Sequence, residues 1–205
     1  MLYRKDDSVG ANPLSWVNAS YWANGGGKSY QILDLEEHGG KFYGCGATIS
    51  EPPMMFLPNP SASEPWQMSV VQLGSFSGEM WGIDVDPSGG VVVGGVNQDT
   101  HRGMIYVSQA NPSDPADWQA FDVGQLFPSA ATWIRGVCTN GSRIVAVGEY
   151  PKTSDPLLLV SDDGGKTFTD MTPSAPDALS ECVVYPSGAF TVAGGEGFVG
   201  SYVPG

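Results

Sequence analysis

Residues 161–168 read Ser-Asp-Asp-Gly-Gly-Lys-Thr-Phe. Two adjacent carboxylates among hydroxyls and glycines can serve as a cation-binding or catalytic loop, or as a turn that bonds to itself. Two other stretches carry comparable chemistry. GGGKS at 25–29 has the ending of a phosphate-binding loop. The leading glycine of that motif would fall at Trp22, and a strand follows rather than the helix whose N-terminus holds phosphate. DVDPSGG at 84–90 begins like a calcium loop, with Asp84, Asp86, Ser88 and Gly89 in place. Its twelfth position, where a bidentate Glu belongs, is Gly95, so a surface hairpin is the better reading. His38 and His101 fall in turns or loops, and no Ser/His/Asp set, Cys/His set or metal-ligand spacing accompanies them. A glycosidase pair could hide among the 22 acids, but nothing singles one out. No catalytic residue, metal or cofactor is therefore expected.

The elements that carry these residues repeat. Four segments, from Leu2, Met55, Ile105 and Leu158, each hold a short apolar run, a polar turn and an aromatic that opens a second run. The aromatics are Trp16, Trp66, Trp118 and Phe168, spaced 50, 52 and 50 residues apart (16 to 66, 66 to 118, 118 to 168). Between them lie four further paired runs, at 31–47, 82–96, 134–149 and 181–196, whose turns HGG, PSGG, NGS and PSG supply residues suited to hairpins. No window shows a sustained helical period. The unit is four short antiparallel strands, which is one blade of a propeller. The fold class is all-β: a single domain over 1–205, a small β-propeller of about four to five blades. The chain opens on third and fourth strands and closes on first and second strands. The ring is therefore expected to close by pairing of the N- and C-terminal strands, with FVGSYV near the C-terminus competing with LYRKD for the third place.

Set on this repeat, Ser161, Asp163, Gly165, Thr167 and Phe168 match the pattern S-x-D-x-G-x-T-[WF] and fall in the turn between a third and a fourth strand. The stretch resembles the Asp box of the bacterial-neuraminidase-type repeat family. The resemblance implies a structural role away from any active site. The residues agree: Gly165 suits a left-handed turn, and the Asp163 carboxylate can accept local N–H bonds. The other three copies keep the aromatic but not the whole box. Sialidases share the box, but they require an arginine cluster and a Tyr/Glu pair. This chain has only Arg4, Arg102, Arg135 and Arg143, its WIRG at 133–136 is not the family's Arg-Ile-Pro motif, and it is shorter than a six-bladed enzyme. A shared fold does not carry the function across.

Tyr30, Trp81 and Trp133 precede the first strand in three repeats, with Leu179 in the fourth and Arg135 nearby. First strands line the central channel, so these residues form a candidate binding rim for a sugar or a partner loop. Packing between blades is the competing role for the same aromatics.

Composition narrows the partners. A formal charge of −13, from 22 acids against 9 bases, repels phosphate backbones and anionic lipid, so no nucleic-acid partner is expected. No stretch has the apolar length of a membrane span, and MLYRKDDSVGANPLSW has no apolar signal core, which points to a virion or cytoplasmic location. Cys45, Cys138 and Cys182 read as three buried thiols. The reading reached is a non-catalytic structural or interaction module that binds protein partners or assembles into a larger particle. A phage component of the capsid-decoration, tail or fibre kind fits it. The alternative is a glycan-binding lectin or a reduced sialidase-like hydrolase. Assembly factors of the photosystem type share the repeat, and no residue here points to them specifically.

Overall fold

A computed structural model describes residues 31–47, 52–58 and 68–204, together with two short strands at 3–5 and 16–18. Those two strands, β1 (Tyr3–Lys5) and β2 (Trp16–Asn18), pair with each other. Four larger antiparallel sheets follow, each a simple meander. The first holds β3 (Gln31–His38), β4 (Lys41–Ala47), β5 (Met54–Pro58) and β6 (Met68–Gln72). The second holds β7 (Gly78–Val85), β8 (Val91–Asn97), β9 (Arg102–Ser108) and β10 (Trp118–Asp122). The third holds β11 (Trp133–Thr139), β12 (Ile144–Tyr150), β13 (Asp155–Ser161) and β14 (Thr169–Asp170). The fourth holds β15 (Leu179–Val184), β16 (Phe190–Gly194) and β17 (Val199–Tyr202). Every strand expected between residues 32 and 194 is present. The hairpin turns have Gly39, Gly89, Gly141 and Gly188 at positive φ, the conformation that makes glycine necessary there.

The apolar runs are rich in Val, Ile and Leu, and in β8, β9, β12 and β13 of the two middle sheets they are buried on both faces. Side chains along one strand alternate between two cores. Val91 and Val93 of β8 face the first sheet with Cys45, Met55 and Met80, while Val92 faces the third with Ile105 and Ile144. In the third sheet Leu157 and Leu159 pack toward the second sheet, and Leu158 and Val160 pack toward the fourth with Phe190 and Val192. Each fully buried Val or Leu contributes about 1.5–3 kcal/mol, so the three inter-sheet cores hold the row together.

The innermost strands make the tightest contacts. A Cβ on Gly82 would lie 2.8 Å from Gly136 Cα, and one on Gly136 would lie 2.6 Å from Ser180 O. Carboxylates stitch the same strands across sheets. Asp34 Oδ2 accepts from Ile83 N at 3.0 Å, and Asp84 Oδ2 accepts from Thr139 N at 2.6 Å. Glu181 on β15 has its carboxyl raised by burial and then by the negative charge of Asp34 on β3.

Two expectations change. Cys138 on β11 and Cys182 on β15 form a disulfide across neighbouring sheets, with Cα atoms 5.9 Å apart, and only Cys45 is a free buried thiol. Their 44-residue separation hides a proximity that the blade repeat creates, because first strands of successive blades lie side by side. The third-strand place of the last sheet goes to β17, paired to β16 from Phe190↔Tyr202 to Ala193↔Val199. Among the described residues β1 pairs only with β2, and no strand lies beyond β17.

A tryptophan–arginine rim as candidate functional site

Each innermost strand skips one residue in its pairing with the second strand. The skipped residues are Leu33, Trp81, Arg135 and Ser180, so these four occupy one structural position in the four sheets. The bulge turns their side chains out of the ladder. In the two middle sheets it brings an indole and a guanidinium together. Arg135 Cζ lies 4.5 Å from the centre of the Trp81 ring and 4.7 Å from that of Trp133. The two rings meet edge to face, 5.4 Å apart.

Two glutamates hold this group. Glu149 on β12, opposite Trp133, accepts from Arg135 Nε at 2.8 Å and also from Nη2. Its side chain is 10% exposed against 35% for that of Arg135, so the acid is a buried anchor and the guanidinium reaches the surface. Glu79 accepts from Trp81 Nε1 at 2.9 Å with one oxygen and from Gln98 Nε2 at 2.9 Å with the other. Arg135 Nη1 donates to no described residue. The result is a pre-ordered aromatic–cation surface with outward N–H groups, able to grip a carbonyl or hydroxyl-bearing partner. Both rim carboxylates are engaged in holding it.

Of the expected rim residues, Trp81, Trp133 and Arg135 come together, and Tyr30 lies outside the described residues. Trp81 sits inside β7 rather than before it. Leu179 is fully buried at the position of Ile134 and takes no part in the rim. Glu149 and Glu79 were not singled out from sequence. The only trace of Glu149 is a charged residue closing the apolar run IVAVG.

The five residues expected to form an Asp box also come together, in the turn joining β13 to β14. Asp163 Oδ1 accepts from Ser161 Oγ (2.8 Å), Lys166 N (3.0 Å) and Thr167 N (2.9 Å), and Oδ2 accepts from Thr167 Oγ1 (2.6 Å). The bond from the Thr167 hydroxyl and those from Thr167 N and Ser161 bring the Asp163 carboxyl down to about 2. Gly165 stands at φ +89, where a Cβ would meet Val107 Cγ2 of the second sheet at 2.6 Å. Phe168 is buried against Phe121, 4.7 Å between centroids. The second sheet reproduces the arrangement with a longer loop. Ser108, the counterpart of Ser161, donates to Asp117, which also accepts from Asn111 N at 2.9 Å and Ala110 N at 3.2 Å. Sequence spacing concealed that copy because the acid arrives nine residues after the serine rather than two.

The calcium-like stretch is a hairpin. Asp86 Oδ1 accepts from Ser88 N (2.6 Å), Ser88 Oγ (2.6 Å) and Gly90 N (3.1 Å), and Asp84 bonds Val85 N and Thr139 N.

No protein-family model matches the chain, and neither does any curated protein. Solved structures do. One of YCF48 bound to D1 peptide superposes with TM-score 0.55 at 13% identity, over 94% of this chain and 56% of that one. The fold is that of a β-propeller. The WD40 β-propeller domain of Doa1 superposes with TM-score 0.41 at 10% identity, over 86% of this chain and 66% of that one. The chain thus spans a little over half the length of YCF48 and about two thirds that of the Doa1 chain. Among the described residues no helix is long and apolar enough to cross a membrane.

Proposed function

We propose that the chain is a non-catalytic interaction module whose protein partner docks on the rim of Trp81, Trp133 and Arg135. The observation that carries this is the guanidinium resting against two indoles, anchored by Glu149, with an Nη1 that donates to no described residue. Large aromatics and Arg dominate the binding energy of protein interfaces. The structural neighbour YCF48 is bound to a peptide, which supports a protein ligand for a propeller of this build. Co-purification from the native source tests it. A discrete partner should be retained by the wild-type chain and lost from Trp133→Ala and Arg135→Ala variants of unchanged fold.

We propose that the turn carrying Asp163 serves architecture and that the module works in a phage particle, a reading supported by its small size and acidic, turn-rich surface. Mass spectrometry of purified particles from the source would detect the chain in a capsid, tail or fibre. The glycan alternative predicts signals on a glycan array that depend on Trp81 and Trp133.

We also infer that β1 and β2 close the ring beside the fourth sheet. Trp16 opens β2 at the spacing that places Trp118 at the start of the fourth strand β10. Val183, Tyr185 and Val199 leave the free face of the fourth sheet apolar and exposed. A cross-link between positions 17 and 201, formed within one chain, is the expected result. A cross-link formed only between chains would replace ring closure by strand exchange.

A further inference from the structure

We infer a second binding site, independent of the rim: a pocket at the end of the third sheet for one ring of a neutral polyhydroxylated ligand, a sugar residue. Ser129, Ala130, Tyr150, Lys152, Thr153 and Asp155 line a depression of about 310 Å3. It lies between the loop entering β11 and the turn joining β12 to β13. That volume is at the lower end of the range for small-molecule sites.

Both walls are fixed before any ligand arrives. In the entering loop, Ala130 N donates to Phe127 O, Arg102 Nη2 donates to Pro128 O at 3.1 Å, and Thr132 N donates to His101 O. Phe127 also stacks edge to face on Tyr150, 5.7 Å between centroids. In the turn, Thr153 N and Ser154 N both donate to Tyr150 O, and Ser154 holds φ +58. Pre-ordered walls reduce the entropy lost on binding.

The lining holds one charge of each sign and so favours neither anions nor cations. Asp155 Oδ2 accepts from Thr153 Oγ1 at 2.7 Å, which leaves Oδ1 as an acceptor. Lys152 makes no ion pair among the described residues and offers its ammonium donors. Burial, followed by the charges of Asp170 and Asp155, pushes the Tyr150 phenol up, so it remains a neutral donor. Lys152 and Asp155 offset each other, so the lining has no net charge to attract an ion of either sign. A neutral polyol presents hydroxyls to both donors and acceptors and a C–H face to Tyr150 and Ala130.

The test is an NMR titration of the labelled full chain with methyl glucoside, methyl galactoside and N-acetylglucosamine, using glucuronate and glucosamine as anionic and cationic counterparts. At least one neutral sugar should give saturable shifts at the amides of Ala130, Ala131 and Thr153. Lys152→Ala and Asp155→Asn, both at exposed positions, should each weaken binding roughly tenfold or more at unchanged unfolding temperature. Trp133→Ala should leave these shifts alone, which separates this site from the rim. The inference is overturned if no neutral sugar gives saturable shifts, if glucuronate binds more tightly than every neutral sugar, or if both variants bind like the wild type.

Discussion

The Trp81 and Trp133 rings, carried by two neighbouring sheets, meet edge to face at 5.4 Å, and the guanidinium of Arg135 lies against both. This contact answers both roles the aromatics could play. They pack between blades, and in doing so they fix a cation at the surface.

Removing Arg135 should cost more than neutralising its partner. Arg135→Ala leaves a largely buried Glu149 without its cation and should destabilise the chain by about 1–3 kcal/mol. Glu149→Gln keeps an acceptor for an arginine that reaches water and should cost under about 1 kcal/mol. Urea unfolding of the two variants checks the order. Equal losses would mean that Glu149 is not the buried anchor.

The Asp-box turn should be intolerant of change without bearing on binding. Gly165→Ala places a Cβ both at positive φ and against Val107, so it should destabilise by more than about 1 kcal/mol. Asp163→Asn should lower the unfolding temperature and leave partner binding intact in the folded fraction. Loss of binding at unchanged unfolding temperature would give the box a functional role.

Stability should rise on mild acidification. Burial first, then neighbouring acids, raises Glu36 and Glu181, and burial raises Asp84 against the bonds it accepts from Thr139 and Val85. A carboxyl raised on folding contributes stability that is complete below its ordinary value, 4.5 for Glu and 3.8 for Asp, and is lost as pH rises through the folded value. Asp163 runs the other way: its contribution is present above 3.8 and lost as pH falls toward about 2. The unfolding temperature should therefore climb from neutral pH toward the ordinary carboxylate range and fall beyond it. Glu181→Gln should flatten the climb. A profile that only falls below neutrality would remove the inner-strand acids from the account.

Reduction should loosen the last sheet. The Cys138–Cys182 bond closes a loop of 44 residues, for which the chain-entropy model gives up to about 4 kcal/mol. Unfolding with and without reductant, beside a Cys138→Ser/Cys182→Ser variant, measures it. An unchanged midpoint on reduction would show that the bond contributes nothing.

The strands and the self-bonded turn at Ser161–Phe168 were legible because both obey a local pattern: tight turns between β-branched runs, and an acid two residues after a serine. The rim was legible only in part. Trp81 and Trp133 look equivalent in sequence, yet the bulge makes Trp81 the counterpart of Arg135, an offset that no count of residues reveals. Glu149, the disulfide and the Ser108–Asp117 pair depend on which strands lie side by side, and that is set by packing rather than by spacing.

The central claim is that the rim is the docking surface. Its most direct test is photo-crosslinking in the native source, with the reactive residue placed at Ser180, the exposed counterpart of Arg135 on the neighbouring sheet, and, as a control, at Gln119 on the exposed outer strand β10. One discrete protein should be captured from position 180 and not from 119, and Trp81→Ala should abolish the capture. Equal capture from both positions, or capture from 180 that survives loss of Trp81, would contradict it.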